Sequence, residues 1–208
     1  MRETMLVGVC GGSGSGKSTF THHLADRLGH HRVGVLPLDS YYRDLGHLTF
    51  EERLEVNFDH PDSIDHELFE THLDQVAAGV AIDVPVYDFS CHSRAAGATR
   101  LDAHPIILVE GILLLAFAGV RERLHRTVFL DVPAAVRLER RVSRDVAERG
   151  RVEHEVRQVF ADVVQPMHER FVQPGASYAD DVIGFEDDPG TIVDALLADI
   201  DDPILTPA

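Results

Sequence analysis

The chain has 208 residues, 44% hydrophobic and 26% charged, with a formal net charge of −16 at pH 7. That composition suits a globular protein and supplies enough apolar side chains for one sizeable core, so a single domain over 1–208 is expected. The charge excludes a general nucleic-acid or acidic-membrane binder, because phosphate-rich partners are repelled at long range, and any phosphate site must be a local basic pocket.

Residues 5–10, MLVGVC, are a short apolar run ending at glycines and read as a buried strand. Residues 17–29 follow with Phe20, Leu24 and Leu28 at helical spacing and Gly29 just past the end. Further strands are predicted at 32–38, 105–111, 126–132 and 181–186, and helices at 64–79, 133–148, 152–171 and 189–200. Nearly all-apolar strands alternating with helices imply an α/β fold of three layers: a mainly parallel five-stranded sheet with helices on both faces. Residues 81–89 alternate instead, and 97–102 is their expected partner in a β-hairpin excursion spanning about 81–102. Residues 201–208 read as a loose tail.

The apolar stretch over 105–120 is interrupted by Glu110, so no membrane span is expected. No cleavable leader is expected either, since MRETMLVGVCGG runs directly into a glycine loop. Cys10 and Cys91 lack CxxC spacing and fit free thiols in a cytoplasmic protein. The thirteen histidines include His22-His23 and His30-His31 but no convincing metal spacing, and they read as surface residues.

Gly11-x-x-x-x-Gly16-Lys17-Ser18 fits the phosphate-binding loop pattern, with a strand before it and a helix after it. The candidate phosphate cradle is Gly11, Gly12, Ser13, Gly14, Ser15, Gly16, Lys17, Ser18 and Thr19. Glycines let successive N–H groups turn inward, and the helix N-terminus adds a positive dipole. Lys17 is the only lysine in the chain; the other eighteen basic residues are arginines. Its compact ammonium can reach the β- and γ-phosphates where a planar guanidinium would not serve as well, and the Ser18 hydroxyl can face Mg²⁺. Such a loop alone serves kinases, GTPase switches, motor ATPases and regulators alike.

The rest of the chain narrows the choice. Asp39 follows the second strand, beside the loop in a doubly wound sheet, where a carboxylate can accept a hydroxyl proton or hold metal-bound water. Glu110 ends the third strand, where an acid helps hold Mg²⁺. Ten of the nineteen basic residues fall between Arg121 and Arg157. Arg137, Arg141 and Arg144 share one helical face, and Arg149-Gly150-Arg151 follows at the helix end. That pattern fits an arginine-bearing lid over about 141–153 that clamps a phosphoryl group; the plainer reading is a surface helix laced by Glu139, Asp145 and Glu148. Phe58, Tyr87 and Phe89 are candidates to face a flat ring, Asp59 to accept from a diol, and His92 to meet a ring edge.

The stretches GGSGSGKST, LDSYYRDL, NFDHPDSID, PVYDFSCHSR, VEGIL, RRVSRDVAERGR, QPMHERFVQP and YADDVI occur in the order of the uridine–cytidine kinase family of phosphate-loop kinases, over about residues 7–185. The chain resembles that family. Phosphoribulokinase and pantothenate kinase share the loop without the NFDHP…PVYDF…H run. The resemblance implies ATP- or GTP-dependent phosphorylation of the 5′-hydroxyl of uridine and cytidine in pyrimidine salvage, with Mg²⁺, in a homotetramer. It implies Asp39 as base or orienter, with Lys17 and Arg144 in the catalytic set and Lys17, Arg144 and Arg149 on the phosphates. It implies Asp59, Arg141 and Arg151 on the ribose, Tyr87 and His92 on the base edge, Phe58 and Phe89 packing the ring with Tyr42 nearby, and Ser18 and Glu110 on Mg²⁺. The departures are Val159 at a usual glutamine, Gln165 before Pro166-Met167, GAS at 175–177 and the acidic loop EDDPG at 186–190. The alternatives are a kinase of another small alcohol on the same fold, or a non-catalytic nucleotide-binding regulator.

Overall fold

The computed structural model describes residues 4–201. Five strands form one parallel sheet: β1 (Met5–Gly11), β2 (Val33–Pro37), β5 (Ile106–Gly111), β6 (Arg126–Asp131) and β7 (Asp181–Gly184), in the order β2-β5-β1-β6-β7. The strands read as continuous apolar runs because both faces are covered. Leu6, Cys10, Leu36, Ile107, Val109 and Phe129 enter one core with Phe69 and Leu73 of α3 (His66–Ala77). Val7, Val9, Leu108, Val128 and Leu130 enter the other, with Phe20 and Leu24 of α1 (Lys17–Leu28) and Val193 and Leu196 of α8 (Pro189–Asp201). Successive strand residues therefore serve opposite cores, and neither face is free to carry polar alternation.

The register fixes what meets at the carboxyl edge. Val9 of β1 and Pro37 of β2 both lie opposite Glu110, while Gly11 lies opposite Leu130. The loop after β1, the turn after β2 and Glu110 of β5 are thus brought to one rim, where a doubly wound sheet binds ligands.

The expected hairpin is present, but its second strand is longer. β3 (Ile82–Asp88) pairs antiparallel with β4 (Ser93–Leu101), which begins at Ser93 rather than 97. Residues 95–100 are exposed, so no apolar alternation marks the strand. It is anchored instead by polar contacts: Ser93 Oγ donates to Asp44 Oδ1 at 3.0 Å, and Arg94 Nε donates to the Tyr42 carbonyl at 2.9 Å.

Two short helices carried no apolar stripe to announce them, α2 (Phe50–Leu54) and α4 (Ala118–Arg123). α2 buries none of its residues and rests on a capping box between Thr49 and Glu52. The helix predicted over 152–171 is interrupted. α6 (Glu153–Val159) passes into wide i→i+5 turns at Phe160–Val164, a short α7 (Gln165–Met167) and further wide turns at His168–Val172. Pro166 lacks the amide hydrogen that an unbroken α-helix requires there. The strand predicted over 181–186 ends at Gly184, whose N–H is taken by the Asp187 carboxylate at 2.7 Å. Beyond Asp201 the expected tail lies outside the described residues. Among the described residues no helix is long and apolar enough to cross a membrane.

Candidate active site

The loop between β1 and α1 is shaped by its glycines. Gly14 and Gly16 have φ of 81° and 97°, in the left-handed region, and a side chain on Gly14 would overlap the Arg137 carbonyl. No side chain caps α1, which leaves its first-turn amides open to an anion. Lys17 is half-buried and folds its ammonium back over the loop, with Nζ donating to the Gly12 carbonyl at 3.1 Å. Burial lowers its pKa, while Asp39, Cys10 and Glu110 oppose that shift.

Three carboxyls face this end of the cleft. Asp39 sits on a 3₁₀ turn (Leu38–Tyr41) directly after β2, and its Oδ1 is buried without a hydrogen-bond partner. Burial raises its pKa, against the pull of Lys17, Arg149 and Arg144. Burial likewise raises Asp59, opposed by Arg141, and Glu110, opposed by Lys17. Glu110 accepts from Ser18 Oγ at 3.2 Å and from Thr21 Oγ1 at 3.3 Å. Thr21, one turn beyond the loop, carried no signal of its own in the sequence. Among the described residues no group of three or more His, Cys, Asp or Glu could hold a metal alone. The available donors are oxygens, Ser18 and Glu110, which suits Mg²⁺ shared with phosphates and water.

The arginines converge from α5 (Ala134–Arg149) and the turn after it, where Gly150 at φ 64° reverses the chain. Arg141 is buried, and its Nη1 donates to Ser13 Oγ at 2.9 Å. Arg144, Arg149 and Arg151 also line the cleft. Arg137 does not join them, although helical spacing put it on the same face. It is 1% exposed and lies behind the loop, its Nε donating to the Val132 carbonyl at 3.0 Å and its Nη2 to Gln165 Oε1 at 2.7 Å. Of the acids expected to lace a surface helix, Glu139 does so, pairing with Arg157 at 2.7 Å. Asp145 does not: it is 0% exposed and sits among the arginines.

The aromatic residues form one wall. Tyr42 packs against Phe58 at 5.4 Å, Tyr87 at 5.1 Å and Phe89 at 6.4 Å between ring centroids. His92 stacks on Phe58 at 4.9 Å and 22°. It sits in the turn between the hairpin strands with a backbone φ of 51°, and its ring lines the cleft. Burial, then Arg151 and Arg149, lowers the His92 pKa, so the imidazole is neutral at pH 7. The Tyr87 hydroxyl is buried without a partner, and burial raises its pKa, which keeps it protonated.

These side chains share one cleft of about 660 Å³, which holds Lys17, Ser18, Asp39, Tyr42, Phe58, Asp59, Tyr87, Phe89, His92, Glu110, Arg141, Arg144, Arg149 and Arg151 along its walls. A second cavity of about 910 Å³ opens on the other side of the loop, along Ser15, Gly16 and Thr19. Gly14, Lys17, Ser18 and Arg144 line both. The loop therefore stands where two compartments meet. Gly11 and Gly12 lie beneath it, packed against the Leu130 carbonyl and against Arg137 and His168. Two features carried no clear sequence signal. Arg140 donates to the Ser15 carbonyl at 3.1 Å and lies 5.6 Å over the Phe185 ring, in the second cavity. Val156, Val159 and Val163 give the first cleft an apolar flank.

Two compartments joined by a phosphate loop, a lysine, arginines and an unpartnered carboxyl are the parts of a phosphoryl-transfer site. Comparison with known proteins agrees. The family model for the phosphoribulokinase / uridine kinase family matches residues 6–188. A uridine kinase of Chloroflexus aggregans is 43% identical over 176 residues, 85% of this chain and 84% of that one. A uridine kinase of Vibrio cholerae is 40% identical over 185 residues, 87% of each chain. The solved D-glycerate 3-kinase of Cryptococcus neoformans has the same fold, with a TM-score of 0.62 at 15% identity over 88% of this chain and 86% of that one. The chain belongs to the phosphoribulokinase / uridine kinase family and is a phosphate-loop kinase of that family.

Proposed function

We propose that the chain transfers the γ-phosphoryl group of ATP or GTP to the 5′-hydroxyl of uridine and cytidine, giving UMP and CMP. The observation that carries this reading is the buried, unpartnered Asp39 Oδ1 in the same cleft as Lys17 and the Phe58–His92 stack. A flat base fits against the aromatic wall, and its ribose then lies between Asp59 and Arg141. Asp39 accepts the proton of the 5′-hydroxyl as that oxygen bonds to the γ-phosphorus. The bond from the γ-phosphorus to the bridging oxygen breaks, and the nucleoside diphosphate leaves. Lys17, Arg144 and Arg149 hold the charge spread over the transferring oxygens. When bound through Ser18 and Glu110, Mg²⁺ supplies further neutralisation of the phosphates. The relatives in Chloroflexus aggregans and Vibrio cholerae are uridine kinases, which supports a uridine acceptor.

Neutral His92 has one donor and one acceptor and can meet the uracil or the cytosine edge by changing tautomer. His92→Phe keeps a ring on Phe58 and removes both functions. It is expected to raise KM for uridine and for cytidine together, about tenfold each, the size of one lost hydrogen bond. Parent-like KM values for both nucleosides would remove His92 from base reading.

The deciding experiment couples release of the nucleoside diphosphate from MgATP or MgGTP to added acceptor: none, uridine, cytidine, adenosine or ribulose 5-phosphate. Release with uridine and cytidine alone supports the proposal. Release with another acceptor reassigns the substrate, and no release by folded protein that binds MgATP leaves a nucleotide-binding regulator.

A further inference from the structure

The charge that organises the arginines is Asp145, which lines neither cavity. It is wholly buried inside α5 and faces four guanidiniums at once. Its two oxygens divide them. Oδ1 takes Arg144 Nη2 at 2.8 Å and Nε at 2.9 Å, and Arg149 Nη1 at 3.5 Å. Oδ2 accepts no hydrogen bond and lies at ion-pair distance from Arg141 Nε, 3.6 Å, and Arg151 Nη1, 3.7 Å. The backbone repeats the link, because the Arg151 N–H donates to the Asp145 carbonyl at 3.0 Å and closes the turn at Gly150.

The division follows function as proposed above. Arg144 and Arg149 are the pair assigned to the phosphates, and Arg141 and Arg151 the pair assigned to the ribose. We infer that Asp145 is a positioning residue that ties the two arginine pairs together, one carboxylate oxygen to each, and so fixes the donor and acceptor sides of the site relative to one another. The assignment of the pairs rests on that functional reading; the carboxylate-to-arginine geometry does not.

The physical reason is like-charge repulsion. Four guanidiniums gathered at one helix end repel one another unless a buried anion holds them. A neutral side chain of the same shape removes that anion. An asparagine amide also turns a donor toward one of the two pairs, where only an acceptor is useful. The arginines then spread, and groups that must bracket a phosphoryl transfer to within a fraction of an ångström no longer do so.

The test uses Asp145→Asn and Asp145→Ser, the second leaving room for a water molecule. Each is compared with the parent chain by thermal unfolding, by calorimetric binding of MgADP, and by uridine-dependent ADP release. Cooperative unfolding is expected to persist in at least one variant. Its MgADP dissociation constant and its KM for uridine are each expected to rise about tenfold, with kcat per folded chain down about 100-fold, the loss expected for a misplacement of about 1 Å. Weakening on both sides, from a residue that lines neither cavity, is the signature a merely structural role lacks. A lower melting temperature with parent-like MgADP affinity and KM would overturn the inference. So would loss of cooperative unfolding in both variants, which would assign Asp145 to folding. The MgADP measurement needs no acceptor. If the parent binds MgADP but phosphorylates no pyrimidine nucleoside, the functional reading fails, and the ratio of MgADP affinities alone still decides whether Asp145 positions the phosphate pair.

Discussion

Asp39→Asn is expected to lower kcat by about 10³-fold, within the range for removing a positioned general base, while leaving KM for nucleoside and MgATP within a few-fold of the parent. The asparagine keeps the shape and loses the acceptor that takes the 5′-hydroxyl proton. Its place explains the size of the effect. Asp39 Oδ1 is buried with no hydrogen-bond partner among the described residues, so it is placed to accept from a bound group. The pH dependence should identify it. Burial raises its pKa, so protonation persists to higher pH than for an ordinary carboxyl. A protonated Asp39 cannot accept the hydroxyl proton, so kcat/KM falls as pH falls through that raised value. The acid limb therefore lies above the usual carboxylate range and should vanish from the residual activity of Asp39→Asn. If it persists there, it belongs to Asp59 or Glu110, whose pKa values burial also raises.

The same substitution has an opposite consequence for stability. A carboxyl whose folded pKa lies above its unfolded value destabilises the fold once pH has risen through both. Removing its charge at pH 7 relieves that penalty, so Asp39→Asn should melt at or above the parent temperature. A variant that is slow because it is unfolded would melt lower, and differential scanning calorimetry separates the two cases. Lost rate with undiminished stability is what a group placed for chemistry gives.

The sheet and the phosphate loop were legible in the sequence because their signals are local. Each strand buries both faces, so its apolar run is unbroken, and the loop carries its glycines and Lys17 at fixed spacing. The second hairpin strand was legible only in part. Residues 95–100 are exposed, and the strand is held by pairing with β3 and by Ser93 and Arg94, none of which leaves a periodic pattern. The break in the long helix was marked by Pro166, yet one proline does not say how the flanking turns will open. The arginine helix shows where spacing stops being enough. Arg137, Arg141 and Arg144 fall on one face by count, but Arg137 is drawn under the loop by the Val132 carbonyl and Gln165. Asp145 looked like one more surface acid because Arg149 and Arg151 reach it only around the turn at Gly150. The sequence marked that glycine as the helix end, but not that the turn would bring both arginines back to one carboxylate.

Lys17→Met is expected to lower kcat by about 10³-fold, a loss of the size seen when a preorganised donor or cationic finger is removed from a charged transition state. Lys17→Arg is expected to recover no more than about tenfold of that loss, although charge is preserved. The reason lies in the loop. Lys17 Nζ reaches the Gly12 carbonyl at 3.1 Å from a stem that bends over the loop, and it stands where the two cavities meet. A guanidinium is wider and planar, and its donors fan out in a fixed fork. Close above a loop whose Gly14 already lies against the Arg137 backbone, that fork cannot occupy the same point without displacing the phosphates it should hold. The Lys17 pKa is lowered by burial, so a proton the site needs is held less tightly than on a free lysine. A phosphate arriving beside it favours the charged form and draws the proton back. Arginine offers no such adjustment. Steady-state rates with MgATP for the two variants, beside MgADP affinity by calorimetry, check the argument. Arginine restoring parent kcat would mean that charge alone is needed at this position. Arginine binding MgADP well while remaining slow would mean that geometry is, and would explain why a chain with eighteen arginines has its single lysine here.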